Sequence, residues 1–321
     1  MFFAPFLAEL VSGSTPPPAW ILPPVLLVFA AVYGVSALVI RDVALRLRGG
    51  APTVLLLGLA FGVVNEGMAA HSLFDPSWPA LGAIGLYGRW MGVNWLWAEW
   101  IVPFHAVWSI SFPIFLTRQF WPSTGTVRFL SDRGLAIFAP VPIVTAVVTS
   151  LVVGAYPLSL LDWSGLFVAT AALAAIAVTL GPRLAGRSIA PGWVPRPWQG
   201  ATAVLLFFLV GQIGTWRLPS TIPWAALSFA LLALAYLALG LFATTWDASP
   251  AGEKARFAGV VTGVAFYAAL SPIAEFAGGR LALVPIDAIV LAGLIVLYRR
   301  RTGAPPAAGS DPPPGPAGPA G

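Results

Sequence analysis

Two residues in this chain have types and surroundings that invite chemistry: Glu66, in the stretch GLAFGVVNEGM, and His105, in VPFHAVWSISFP. Both lie inside long apolar runs. A carboxyl group there can carry a proton, ligate a metal or act as a general base, and a neutral imidazole can ligate, accept or relay a proton. Gly58, Gly62 and Glu66 recur every fourth residue, so on a helix they share one face. Two glycines on that face admit a close neighbour, which turns Glu66 toward a helix–helix contact. Asn65 beside it supplies hydrogen bonds. Around His105, three- and four-residue spacing brings Trp108, Ser109 and Phe112 onto its face. Pro103 and Pro113 flank it and can free backbone carbonyls. Cysteine is absent and the histidines number two, so any metal, a divalent ion such as zinc included, would have to lean on carboxylates.

Other ionisable groups are placed less well. Glu99 precedes His105 by six residues, about 120° around the helix, and is expected to snorkel outward among Trp95, Trp97 and Trp100 while supporting the site. His71 follows Glu66 by five residues, a poor spacing for a same-face pair, and reads as a solvated loop histidine. Glu9 and Asp287 are further candidates, with Arg280 or Arg89 as partners for either.

The elements that must hold these residues follow from composition. Hydrophobic residues make up 58% of the 321 and charged residues 9%, against about 45–50% and about 25% in soluble domains. Most of the chain falls into runs near the ~20 residues of a membrane helix. The fold expected is all-α, a polytopic transmembrane bundle. Secreted, fibrous and nucleic-acid-binding classes are excluded, and the bilayer is the expected partner.

Nine spans can be drawn: 21–40, 52–71, 95–118, 134–154, 164–181, 200–216, 223–245, 256–273 and 281–298. With the N-terminus outside and the C-terminus inside, fourteen of the seventeen basic residues fall in inner loops. Only Arg89, Arg217 and Arg280 fall outside. That loop-by-loop alternation is the positive-inside pattern, and a plasma-membrane location follows from it as an expectation. Tryptophans gather at span ends as an aromatic belt, with Trp100 deeper and Trp108 near mid-membrane. Residues 1–20 lack a basic n-region and read as an interfacial or re-entrant segment, held off the first span by Pro16, Pro17 and Pro18. Residues 302–321, rich in Pro, Gly and Ala, read as a disordered tail.

An ionisable residue at a helix centre costs about 2.5–3.5 kcal/mol on insertion scales, so function is its default explanation. Spans 1–3 hold most such residues, with closure of the site expected from the last two helices. Counting charges by side gives −4 outside and +9 inside, so a polar site would open outward. No phosphate-loop, HExxH or GxSxG pattern is present, which argues against an ATP site in this chain.

Asn65-Glu66 on one helix, with His105 and Ser109 on the next, resembles the CPBP (Abi) intramembrane proteases. That family carries EExxxR, FxxxH and HxxxN-type motifs on successive helices. The resemblance implies that Glu66 activates water and that His105 orients it or binds a metal. Beyond those helices the chain resembles bacterial multi-pass membrane proteins of uncharacterised activity. Three readings are therefore carried forward: a multi-pass membrane protein whose activity the sequence does not reveal, an intramembrane hydrolase using Glu66 and His105, which the residues favour next, and as the alternative a proton- or cation-coupled transporter with Glu66 as the coupling acid. Whether the protein is an enzyme stays open at this point.

Overall fold

A computed structural model describes residues 2–153, 156–187, 194–244, 250–276, 279 and 282–303. Each of the nine apolar segments coincides with a helix. They are α1 (Pro23–Arg46), α2 (Gly50–Ala69), α3 (Trp95–Phe120), α4 (Asp132–Val152), α5 (Leu160–Leu184), α6 (Pro197–Thr221), α7 (Ala225–Thr244), α8 (Pro250–Phe276) and α9 (Leu283–Gly303). Seven of these, α1 to α6 and α8, are long and apolar enough to cross a membrane among the described residues. Helix α7 has a shorter apolar core, Ala225–Gly240. Helix α9 mixes its apolar run with Asp287 and ends in Arg300 and Arg301. Of the expected tail, Thr302 and Gly303 end α9 and the rest lies outside the described residues.

Local sequence sets the helix starts. Ser159 and Asp162 cap α5 reciprocally, the Ser159 hydroxyl accepting from Asp162 N–H at 3.2 Å and the Asp162 carboxylate accepting from Ser159 N–H at 2.8 Å. Asn94 caps α3 by accepting from Trp97 N–H at 3.0 Å. Before it, a two-residue antiparallel ribbon pairs Arg89 with Asn94 and Trp90 with Val93. Arg89 donates to the carbonyls of Gly85 (3.1 Å), Phe74 and Gly92, and so holds this loop. The expected pairing of Arg89 with Glu9 or Asp287 does not form, because the nearby carbonyls meet its guanidinium first, and Arg280, the other expected partner, lies outside the described residues.

Helix α2 is the hub. It packs on α3, on α5 and on α1. The α2–α3 contact depends on glycine: a Cβ at Gly58 would meet the Ala106 Cα at 2.8 Å, and one at Gly62 would meet the Val102 carbonyl oxygen at 2.8 Å. Only hydrogen fits at either position. Helices α6, α8 and α9 pack as a second group. The two groups meet through aromatics, with Trp108 of α3 at 4.7 Å from Tyr267 of α8 and 5.6 Å from Phe208 of α6. Residues 3–11 fold into a short helix buried against α1, α3, α8 and α9. The Trp108 indole N–H donates to the Leu7 carbonyl at 2.8 Å and seats that segment in the bundle.

Outward-facing side chains are strongly apolar. Leu151, Leu160 and Val168 on α4 and α5 are exposed, as befits helices whose solvent is hydrocarbon. The fold is an α-helical bundle, and the chain is a multi-pass membrane protein.

Candidate functional site

Five backbone segments among the described residues run as π-helix, an uncommon geometry: 210–214 of α6, and four that belong to the site, 6–11, 30–34 of α1, 64–69 of α2 and 105–111 of α3. Such turns are rare, well under 1% of residues, and gather at functional sites. Each of the last four carries a polar residue of the site: Glu9, Tyr33, Asn65 with Glu66, and His105 with Ser109. The four turns bring these side chains to a common point.

At that point His105 Nε2 lies 2.7 Å from Glu66 Oε1, and both residues are buried. His105 Nδ1 faces the Ser109 hydroxyl at 2.8 Å. The Asn65 amide donates to Glu66 Oε1 at 3.0 Å and to the Tyr33 hydroxyl at 3.2 Å, and lies 3.2 Å from His105 Nε2. Tyr33 donates to Glu9 Oε1 at 2.5 Å, and Thr15 donates to Glu9 Oε2 at 2.7 Å. On the far side of Glu66, the Ser72 hydroxyl donates to Oε2, and the Trp97 indole N–H donates to Ser72 at 3.0 Å. Two carboxyls and one imidazole thus sit on one continuous hydrogen-bonded network spanning the N-terminal segment, α1, α2, the loop after it, and α3. Burial without such partners would be costly, and the network supplies them.

Of the residues singled out in the sequence, the fold brings together Glu66, His105, Asn65 and Ser109. It separates the others. Trp108 packs among Phe104, Phe208 and Tyr267, and its N–H is spent on Leu7. Glu99 is not snorkelled: both carboxylate oxygens are buried, with no hydrogen-bond partner among the described residues. Its face of α3 turns toward α7, where Tyr236 is the carboxyl group's neighbour. His71 is not a solvated loop residue. It is 4% exposed, its Nδ1 lies 2.7 Å from the Tyr156 carbonyl, and its Nε2 lies 2.6 Å from the Ser150 hydroxyl. A left-handed backbone at His71 (φ 59°) turns the ring from α2 toward α4. Asp287 is buried apart from the network, beside Ser271 of α8.

Closure also differs from expectation. The N-terminal segment and α1 supply Glu9 and Tyr33 and cover the pair directly, while α8 and α9 stand behind that segment. Tyr33, Ser72 and Trp97 were missed as site residues. Tyr33 had one available signal, a lone hydroxyl in a run of Ala and Val. Ser72 had none, since it lies beyond the span.

The donor set does not suit a resident zinc. Glu66 and His105 bond each other directly at 2.7 Å. No group of three His, Cys, Asp or Glu side chains that could hold a metal occurs among the described residues, whereas zinc takes four ligands, at least three of them from protein. The chemistry on offer is proton exchange between carboxylate and imidazole.

A buried polar network inside an apolar helical bundle defines an integral membrane protein with an ionisable core. The chain matches the sequence profile of an uncharacterized membrane protein family over residues 1–298, and belongs to that family. Comparison with curated proteins and with solved structures returned no match. The resemblance to CPBP proteases finds no support in these comparisons. In the residues, Asn65 stands where that motif has its first Glu, Ile101 stands where FxxxH has Phe, and no second in-span histidine exists.

Proposed function

We propose that this protein is a proton-coupled membrane transporter in which Glu66 and His105 form the proton-exchanging pair and Glu9 is joined to them through Tyr33 and Asn65. The observation that carries this reading is the pair itself, 2.7 Å apart and buried on a network that reaches a second carboxyl. Helices interrupted at the site fit alternating arrangements of the surrounding elements, and all four segments bearing the network are so interrupted. The same carboxylate–imidazole contact is a base couple for hydrolysis. A hydrolase needs substrate-sized space beside it, however, and neither of the two cavities described borders Glu66 or His105.

The chain crosses the plasma membrane nine times in this proposal, with the N-terminus outside. The alternation of basic loops supports that orientation. The lack of native cysteine makes it directly testable: Ser77→Cys is expected to react with a membrane-impermeant thiol reagent from outside, and Ser123→Cys only from inside. The functional test is a rapid pH jump on proteoliposomes adsorbed to a capacitive surface. A transient charge displacement is expected from the wild type, absent in Glu66→Gln and His105→Ala and kept in Glu99→Gln. Displacement that survives in both pair variants would overturn the proposal.

A further inference from the structure

A cavity of about 780 Å³, whose lining includes neither Glu66 nor His105, is bounded by α2, α3, α6 and α7, with α1 and α8 at one end. Its size falls in the range of ligand sites, about 300–1,000 Å³. The shaft is apolar, formed by Leu55, Leu59, Val107, Phe115, Phe207 and Leu237. The end is different. Arg41, Arg48, Arg118 and Arg256 line it, and no carboxylate does. Asp42 bonds Arg41 at 2.6 Å and Glu253 bonds Arg118, but both acids stand outside the lining, so the wall at this end presents guanidinium groups and no carboxylate.

Arg41 and Arg118 are held by the fold, Arg118 through Glu253. Arg41 is fixed by Asp42 and by the carbonyls of Thr124 and Val127, and it stacks 4.2 Å over the Phe129 ring. Its position at the mouth is therefore set before any ligand arrives. Arg48 is exposed at the turn between α1 and α2. Within the shaft the hydroxyl of Tyr236 is buried with no hydrogen-bond partner among the described residues, leaving a donor for an occupant.

We infer that this cavity binds an anionic phospholipid of the leaflet at the arginine end, its phosphate at the arginine mouth and an acyl chain along the apolar shaft. Charge complementarity selects the head, because guanidinium groups suit phosphate oxygens. A wall without acids or histidines selects the chain. Free phosphate would meet the mouth but leave the shaft unfilled, and a zwitterionic lipid would fill the shaft but gain less at the mouth. This inference is independent of the proton pair.

The test is native mass spectrometry of the detergent-purified protein with dioleoyl phosphatidylglycerol, dioleoyl phosphatidylcholine or inorganic phosphate added. Three variants complete it: wild type, Arg48→Gln and Gly240→Phe. A Cβ at Gly240 meets nothing within 4 Å, so the ring can enter the cavity from its lining without striking backbone. The wild type is expected to retain phosphatidylglycerol about tenfold over phosphatidylcholine and to show no phosphate adduct at equal concentration. Arg48→Gln is expected to lower that preference about fivefold, and Gly240→Phe to lose both lipids. Thermal melting of each variant shows whether it is folded. Equal retention of the two lipids by wild type, a phosphate adduct as abundant as the lipid adduct, or unchanged retention in a folded Gly240→Phe would each overturn the inference.

Discussion

Helices α2 and α3 differ from α4 and α5 as an interior differs from a boundary. In their most apolar stretches, 61% and 56% of residues are buried, against 17% in each of the other two. All four are apolar, yet only the buried two carry buried ionisable groups, Glu66 and His105. A lipid-facing helix has nothing to hydrogen-bond a carboxylate, whereas a helix enclosed by others can be given partners by them. The contrast recurs within α3 itself. His105 turns toward Glu66, Ser109 and Asn65 and is satisfied, while Glu99, under two turns away, turns toward α7 and has no hydrogen-bond partner among the described residues. Enclosure alone is thus not a site; the partners are.

If that distinction is right, breaking the satisfied pair should cost most. His105→Ala leaves Glu66 buried without its imidazole partner and is expected to destabilise the protein by about 3–5 kcal/mol, read as a fall in melting temperature in detergent. The Glu66→Gln, His105→Ala double variant should cost less than the sum of its parts. Next comes the contact that holds the two helices together. Gly62→Val drives methyl groups into the Val102 backbone and should cost about 1–3 kcal/mol. Gly165→Val, at a position where a Cβ meets nothing within 4 Å, should melt like wild type.

Tyr33→Phe sharpens the comparison from the network's edge. It removes the hydroxyl that joins Glu9 to Asn65, and about 1–3 kcal/mol of stability should go with it. The opposite sign is expected on the unsatisfied side of α3: Glu99→Leu removes a buried group without hydrogen-bond partners and should leave the melting temperature equal or higher. Smallest of all, Leu151→Ala on the lipid face of α4 should change stability by less than about 0.5 kcal/mol. A large loss there would show that α4 is packed against protein and would undo the contrast.

The nine helical segments were legible in the sequence because a bilayer-length apolar run is a local property. The Glu66–His105 pair was legible because ionisable residues inside such runs are few. Gly58 and Gly62 even indicated which face of α2 would be crowded, and by Ala106 and Val102 it is. What escaped was whatever depends on a change of helical register. Spacing rules assume regular α-helix, and the π-turns at 64–69 and 105–111 alter the direction in which residues point. His71 failed the five-residue spacing test for the same kind of reason: its left-handed backbone, not its place on α2, aims the ring at Ser150. Glu9 and Tyr33 lie 24 residues apart and meet only through tertiary packing of the N-terminal segment. No local pattern encodes that contact.

The central claim is that Glu66 and His105 exchange a proton. It is tested most directly by pH-difference infrared spectroscopy of the protein in lipid, following the carbonyl stretch of protonated carboxyl groups. The account predicts a carboxyl band in the wild type that changes with pH, is missing in Glu66→Gln and moves in His105→Ala. A pH-difference spectrum that is the same in wild type and Glu66→Gln would contradict it.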